Sequence, residues 1–346
     1  LFGRGRPCKE IIMSVSPMTD RLFRARQLSV GLALPLRAGT TQEVDFLEQL
    51  ELAVLAEELG FSAIWVRDVP LNGPWYPEDF GHPDPWAMLA AIAARTSRIA
   101  LGTAAIVLPL RHPLHIAKAA ISLDHLSGGR FILGLGSGDR PKELAAFGLA
   151  EADVKARYRE HWAQLAAALE RPPRVEFGSG EAGSGEGGSG EAGPGGSGEI
   201  FELRPAARRD IPMIAIGSGG QTLQWIARNA AGWATYHRPP ARQRDRHALW
   251  RRAVEGVVPG QFRSFSVALA LELDEDPQAP PQEIDLGYRI GAEGLPGLLQ
   301  SLRLGGLHHV MLNLAPSGRA VAGQLARIAE SLPQAEGSQL AGGHGQ

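Results

Sequence analysis

The residues that can do chemistry sit in short clusters, each placed just after an apolar run. The richest is Ile211-Pro-Met-Ile-Ala-Ile-Gly217-Ser218-Gly219-Gly220-Gln-Thr222. An apolar strand enters four small residues and a helix follows directly. Backbone N–H groups left free in such a turn, with the positive end of the helix dipole, attract an anion such as phosphate. Ser218 or Thr222 can add a hydroxyl donor. The same residues also describe an ordinary strand-to-helix turn with a Ser or Thr cap. A second turn, Gly134-Leu-Gly136-Ser137-Gly-Asp139-Arg140, follows another apolar run. Arg140 there can clamp a phosphate through two donors or simply pair with Asp139.

Charged and aromatic residues recur at comparable places. Arg67-Asp68 and Arg111-His112 each follow a β-rich segment, and Tyr236-His237-Arg238 ends a later one. Arg289 lies downstream of a further strand candidate. A loop from Val69 to Asp84 carries Trp75, Tyr76, Phe80 and His82, aromatics able to wall a pocket for a planar ligand or to pack the loop down. Arg67, Asp68, His112, His237 and Arg289 are the candidate substrate-contacting or catalytic residues, with Asp68 expected to orient Arg67. An arginine-rich mouth suits an anionic or carbonyl-bearing substrate.

Several chemistries find no support. The sequence has no Gly-x-Ser-x-Gly elbow, no His-Glu-x-x-His and no phosphate-binding P-loop. His112 and His115 lack a nearby acidic third ligand, so no metal site is expected. Cys8 is the only cysteine, which rules out an internal disulfide and a cysteine-rich zinc site. The formal net charge is -2, without the basic bias that nucleic-acid binding calls for. The longest apolar run, Ile99 to Leu110, is too short to span a bilayer. A cytoplasmic location is the default expectation.

The elements that must position these clusters alternate along the chain. Strand-like segments cover residues 28–34, 62–66, 98–107, 130–135, 212–216, 232–236, 265–273 and 309–314. Helical periodicity covers 44–59, 85–95, 115–126, 153–169, 222–229, 241–254, 295–304 and 318–331. Eight strands alternating with eight helices in a chain of 346 residues predict a (β/α)8 barrel, with a doubly wound open sheet as the competing architecture. In a barrel the clusters fall together on the C-terminal face of the strands, where active sites lie. Residues 27–333 are read as this single barrel domain, 1–26 as a disordered leader and 334–346 as a disordered tail. Residues 178–198 form near-perfect Gly/Ser/Glu pentads, expected to be a flexible surface insertion spanning roughly 25 Å end to end. Gly178 to Gly183 matches a dinucleotide fingerprint, but with no strand before it and no helix after it the match is read as accidental.

The quoted clusters resemble one family. Residues 101–113, Leu-Gly-Thr-Ala-Ala-Ile-Val-Leu-Pro-Leu-Arg-His-Pro, resemble the third-strand segment of the bacterial luciferase-like, flavin-dependent monooxygenases and oxidoreductases. Residues 124–134, Gly217-Ser218-Gly219, residues 231–236 and residues 60–68 are similar to further segments of that family. The resemblance implies a reduced FMN in the barrel mouth, with 8-hydroxy-5-deazaflavin as the alternative cofactor. It places a non-prolyl cis peptide between Ala104 and Ala105 beneath the ring. Gly217, Ser218, Gly219 and Gly220 would hold the phosphate, with Ser137 or Arg140 contributing; Gly136 and Tyr236 complete the expected cofactor shell. The family's luminescent members carry a histidine after the second strand, where this chain continues Asp68-Val69-Pro70. Gly136 and Ser137 stand where those members have a cysteine and an arginine, so light emission is not expected. The implied partners are a small-molecule substrate, dioxygen, a separate flavin reductase and a second copy in a homodimer. Deazaflavin-dependent hydride transfer and non-catalytic flavin binding are the alternative functions.

Overall fold

The computed structural model describes residues 17–332 except 41, 75, 77, 171–173 and 178–198. The expected Gly-rich insertion, the C-terminal tail and most of the leader therefore lie outside the described residues.

Eight parallel strands close into a ring: β1 (Ser29–Leu34), β2 (Ala63–Val66), β3 (Ala100–Thr103), β4 (Phe131–Gly136), β5 (Met213–Ile216), β6 (Gly232–Tyr236), β7 (Ser264–Leu273) and β8 (His309–Leu314). Each pairs with the next, and β8 returns to β1 with Val30 opposite Val310. This is the predicted (β/α)8 barrel. The helices are α1 (Pro17–Leu22), α2 (Phe46–Glu58), α3 (Pro85–Arg95), α4 (Pro113–Ser127), α5 (Pro141–Ala146), α6 (Glu151–Glu170), α7 (Leu223–Asn229), α8 (Pro240–Val257), α9 (Leu295–Leu304) and α10 (Val321–Ala329). All but α1 and α5 follow a barrel strand as its covering helix.

Local chemistry sets the boundaries. Asp45 and Asp84 cap α2 and α3 by accepting from the first free N–H groups, and Pro85 occupies the first turn of α3. Gly128 closes α4 at a positive φ of 68°. Alternate strand residues then build two cores. Leu32, Ile64, Leu101, Phe131 and Val267 face the helices, whereas Ala63, Trp65, Ala100, Ile132 and Met311 fill the barrel interior.

The lower end of the barrel corrects one expectation. Residues 17–22, assigned to a disordered leader, form α1, and Met18, Leu22 and Phe23 are buried in the interior cluster. Ser29 Oγ donates to the Leu22 carbonyl at 2.6 Å. Burial of three large apolar side chains at the open lower end outweighs the cost of ordering one short turn of helix. Above this plug, Trp65 Nε1 donates to His309 Nε2 at 2.9 Å, while His309 Nδ1 lies 2.7 Å from Ser29 Oγ. Gly31 and Gly102 make room for the indole, since a Cβ at Gly102 would stand 2.2 Å from it.

Two antiparallel additions were not predicted. Arg174–Phe177 pairs with Glu199–Glu202, so a strand does precede the Gly178 motif; the next described element is another strand and not a helix. Gln282–Ile284 pairs with Gly287–Ile290, which adds to the upper half of β7 in parallel. No described helix is long and apolar enough to cross a membrane.

Candidate active site

The upper ends of the strands bring most of the sequence clusters to one mouth. Its floor is made by Ala104 and Ala105, joined by a cis peptide, and by Gly136 at the end of β4. A Cβ built on Gly136 would lie 3.1 Å from the Ala105 Cβ. The floor thus offers methyl groups and bare backbone where longer side chains would fill the space. A planar aromatic ring fits such a surface.

Beside the floor, Gly217 to Gly220 turn β5 into α7. Gly217, Gly219 and Gly220 all have positive φ, and a Cβ at Gly219 would collide with the Tyr158 ring at 2.5 Å. Ser218 is exposed, and its hydroxyl accepts from the Gly220 N–H at 3.3 Å. Among the described residues, the backbone N–H groups of Ser218 and Gly219 make no hydrogen bond. Thr222 caps α7 by accepting from Trp225 N–H. This turn has the donors that a phosphate requires. Ser137 contributes less, since its hydroxyl is turned toward the Gly138 carbonyl at 3.4 Å.

The charged residues pair differently from the expectation. Asp68 is buried and receives both Nε and Nη2 of Arg111 at 2.9 and 2.7 Å, with the Val107 N–H at 3.1 Å. Asp68 therefore fixes the segment after β3 and does not orient Arg67. That carboxylate raises the pKa of Arg111 further. Arg67 bonds Glu78 of its own loop and the Asn313 Oδ1 on β8, at 2.7 Å for the latter, and so reaches across the mouth. Arg140 lies 3.6 Å over the Tyr76 ring and donates to the Leu71 carbonyl, which makes it a loop tie and not a phosphate clamp. The cationic mouth inferred from sequence is thus largely neutralised by Glu78, Asp68 and Asp84.

Tyr76 and Tyr236 both direct their hydroxyls to Asp139 Oδ2, at 3.3 and 3.4 Å. Burial, reinforced by Asp139, raises the pKa of each phenol, so both stay protonated donors. Three strand ends are joined by this contact. Trp75 lies outside the described residues. His82 stacks on Phe80 at 4.4 Å, and its Nδ1 is 3.0 Å from the Phe80 carbonyl. That bond assigns the proton to Nδ1 and leaves the buried Nε2 an acceptor with no partner. Burial, then the neighbouring Arg67, lowers the His82 pKa to about 4, so the ring is neutral at pH 7.

Three expected site residues fall elsewhere. His112 is exposed at the rim, and its Nδ1 caps α4 by accepting from Leu114 N–H. His237 is buried against Tyr288 in a cleft between α8 and α9, outside the strand ring. Arg289 is 44% exposed on the added strand and ion-paired with Asp274 at 2.7 Å and Glu272 at 3.5 Å. Conversely, Glu78, Arg111, Asp139 and Asn313 enter the mouth although none of them was among the candidate site residues. Asp139 and Glu78 lay inside quoted segments, but no local spacing signals a partner on another strand. Among the described residues no group of three His, Cys, Asp or Glu side chains could hold a metal ion.

Residues 28–288 match the family described as luciferase-like monooxygenase. The chain belongs to this family. Over 123 residues it is 38% identical to a 4-hydroxyprotoasukamycin monooxygenase of Streptomyces nodosus subsp. asukaensis, covering 35% of this chain and 32% of that one. Over 112 residues it is 41% identical to an F420-dependent glucose-6-phosphate dehydrogenase of Amycolatopsis mediterranei, covering 32% of each. The chain thus spans about a third of the length of these curated relatives. The solved monooxygenase RslO1 from Streptomyces bottropensis shares the fold with a TM-score of 0.65 and 19% identity, over 88% of this chain and 98% of that one.

Proposed function

We propose that this luciferase-like protein is a monooxygenase that uses reduced FMN and dioxygen to oxidise a small organic substrate in the barrel mouth. The observation that carries the reading is the side-chain-poor floor of Ala104, Ala105 and Gly136 set beside a turn with free N–H donors. A ring over the floor and a phosphate at Ser218 and Gly219 use both features at once. FMN bound there would supply the activation of dioxygen, with reduction provided by a separate flavin reductase.

The chain's own side chains then have distinct tasks. Asp68 and Arg111 hold the segment that carries Ala104 and Ala105. Tyr76, Asp139 and Tyr236 draw the loop of residues 69–84 toward the upper ends of β4 and β6, which keeps water from the ring. Arg67 positions a carbonyl or hydroxyl oxygen of the substrate between Glu78 and Asn313. His82, kept neutral by burial, stacks on Phe80 and stiffens the loop that covers the mouth. An uncharged polar substrate suits a mouth whose arginines are already paired.

A second reading, hydride transfer with 8-hydroxy-5-deazaflavin, is favoured by the similarity to the F420-dependent dehydrogenase. Anaerobic titration of the purified protein with reduced FMN and with reduced deazaflavin, followed by air, separates the two. Tight FMN binding with an oxygen-dependent transient absorbance is the expected result. Binding of deazaflavin alone moves the reaction to hydride transfer, and binding of neither removes the flavin reading.

A further inference from the structure

Away from the mouth, α8, α9 and the added strand Gly287–Ile290 enclose a cleft of about 420 Å³. That size lies in the range of small-molecule sites. Its polar wall is formed by His237, Gln243, Arg244 and Tyr288, and its apolar wall by Leu298, Leu302, Leu304 and Leu307. None of the mouth residues described above lines it; His237, a candidate catalytic residue by sequence, lies here instead.

Two unmade hydrogen bonds distinguish this cleft from a packing defect. His237 and Gln243 are 4% and 3% exposed, and His237 Nδ1 and Gln243 Nε2 have no hydrogen-bond partner. A buried polar group without a partner is costly, so a pair of them in one wall calls for a ligand that completes them. The chemistry of the missing partner follows from Gln243. Its Oε1 accepts the Arg238 backbone N–H at 3.2 Å, and that N–H can only donate. The amide orientation is therefore fixed, and the free group is the donating Nε2. What is missing is an acceptor. Arg244 adds an exposed cation with no ion pair among the described residues, and the Tyr288 phenol adds a further donor. Leu304, 74% exposed, continues the apolar wall outward.

We infer that the α8–α9 cleft is a second small-molecule site, binding a medium-chain carboxylate with its head at Gln243, His237 and Arg244 and its chain along Leu298, Leu302 and Leu304. Burial keeps the His237 ring neutral, with a pKa lowered to about 4, so it contributes one donor and one acceptor nitrogen instead of a second charge. The site is independent of the flavin reading, because the mouth and the cleft share no wall.

Calorimetric titration of the full chain with sodium octanoate tests this, with octan-1-ol as the uncharged control and FMN as competitor. Octanoate should bind, octan-1-ol should bind at least about ten-fold more weakly, and saturating FMN should not displace octanoate. Gln243→Leu should weaken octanoate about ten-fold and Arg244→Ala about three-fold, each relative to the same variant's affinity for octan-1-ol. Should Gln243→Leu fail to fold, the exposed Arg244→Ala carries the test. Equal binding of acid and alcohol, displacement by FMN, no binding, or an unchanged Arg244→Ala protein would each overturn the inference. Failure here leaves FMN binding intact, and failure of the flavin reading leaves octanoate binding intact.

Discussion

At the lower end of the barrel, Trp65 bonds His309, His309 meets Ser29, and Met18 and Leu22 of α1, with Phe23 just after it, cover this stack. At the upper end, Ala104, Ala105 and Gly136 leave a floor of methyl groups, and the neighbouring turn keeps two N–H donors unused. Both ends are made by the same eight strands. They differ in whether space and hydrogen bonds are consumed within the chain or left for something else. The fold completes its interactions below and leaves an incomplete surface above, which is the mark of a site prepared for a ligand.

Emptying the lower end removes this contrast most directly. Trp65→Ala opens a cavity and leaves His309 Nε2 unpaired, and should cost about 3–5 kcal/mol of unfolding free energy. Chemical denaturation measures it. A loss below about 1 kcal/mol would mean that the interior stack is not what holds the barrel closed.

Filling the upper end should have the reverse character. Gly136→Leu places a branched side chain against Ala105, and should weaken FMN binding by about 100-fold or more, an effect of about 2.7 kcal/mol on binding. Flavin fluorescence titration reads it. Unchanged affinity in a folded variant would show that the ring does not rest on this floor.

Acid distinguishes the two ends more gently. Burial lowers the His309 pKa to about 3, below the value of about 6.5 for an exposed histidine, because the folded state favours the neutral ring. Its contribution is therefore complete above pH 6.5 and declines as the pH falls from 6.5 toward 3, since the unfolded chain takes up the proton first. One such group gives a slope of at most about 1.4 kcal/mol per pH unit. His309→Gln should flatten the wild-type decline between pH 6 and 4 by close to that amount, as measured by urea unfolding at each pH. An unaltered slope would assign the acid sensitivity to other buried histidines, His82 first.

Most of the barrel was legible because its signals are local. The spans 85–95, 232–236, 295–304 and 309–314 agree residue for residue, the first of them opened by an Asp cap and a proline. The helix after β3 begins two residues earlier than its periodicity suggested, since Pro113 and the His112 cap extend it. What sequence could not show was pairing at a distance. Asp68 has Arg67 as its neighbour in the chain, yet its partner is Arg111, brought in by the segment that follows β3. The small residues of the floor were found only by resemblance, because nothing in Ala104-Ala105 or Gly136 signals a surface until three strand ends converge. α1 escaped for another reason: Met18, Leu22 and Phe23 carry a helical spacing over too few residues to separate from the polar leader before them.

The smallest effect probes what joins the strand ends at the mouth. Tyr236→Phe removes one of two phenols that share Asp139 Oδ2, in a contact 3.4 Å long with Tyr236 46% exposed. An exposed bond of this kind contributes under about 0.5 kcal/mol, so stability should hardly change. Tyr76 retains its own bond to Asp139, so the loop stays tied at one point instead of two. Hydrogen exchange should then rise in residues 69–84 while the lower end keeps its protection. If exchange rises equally at both ends, the mouth is not an independent unit and the contrast between the two ends fails; if it rises nowhere, Asp139 and Tyr76 alone hold the loop, and Tyr236 is free to meet the substrate.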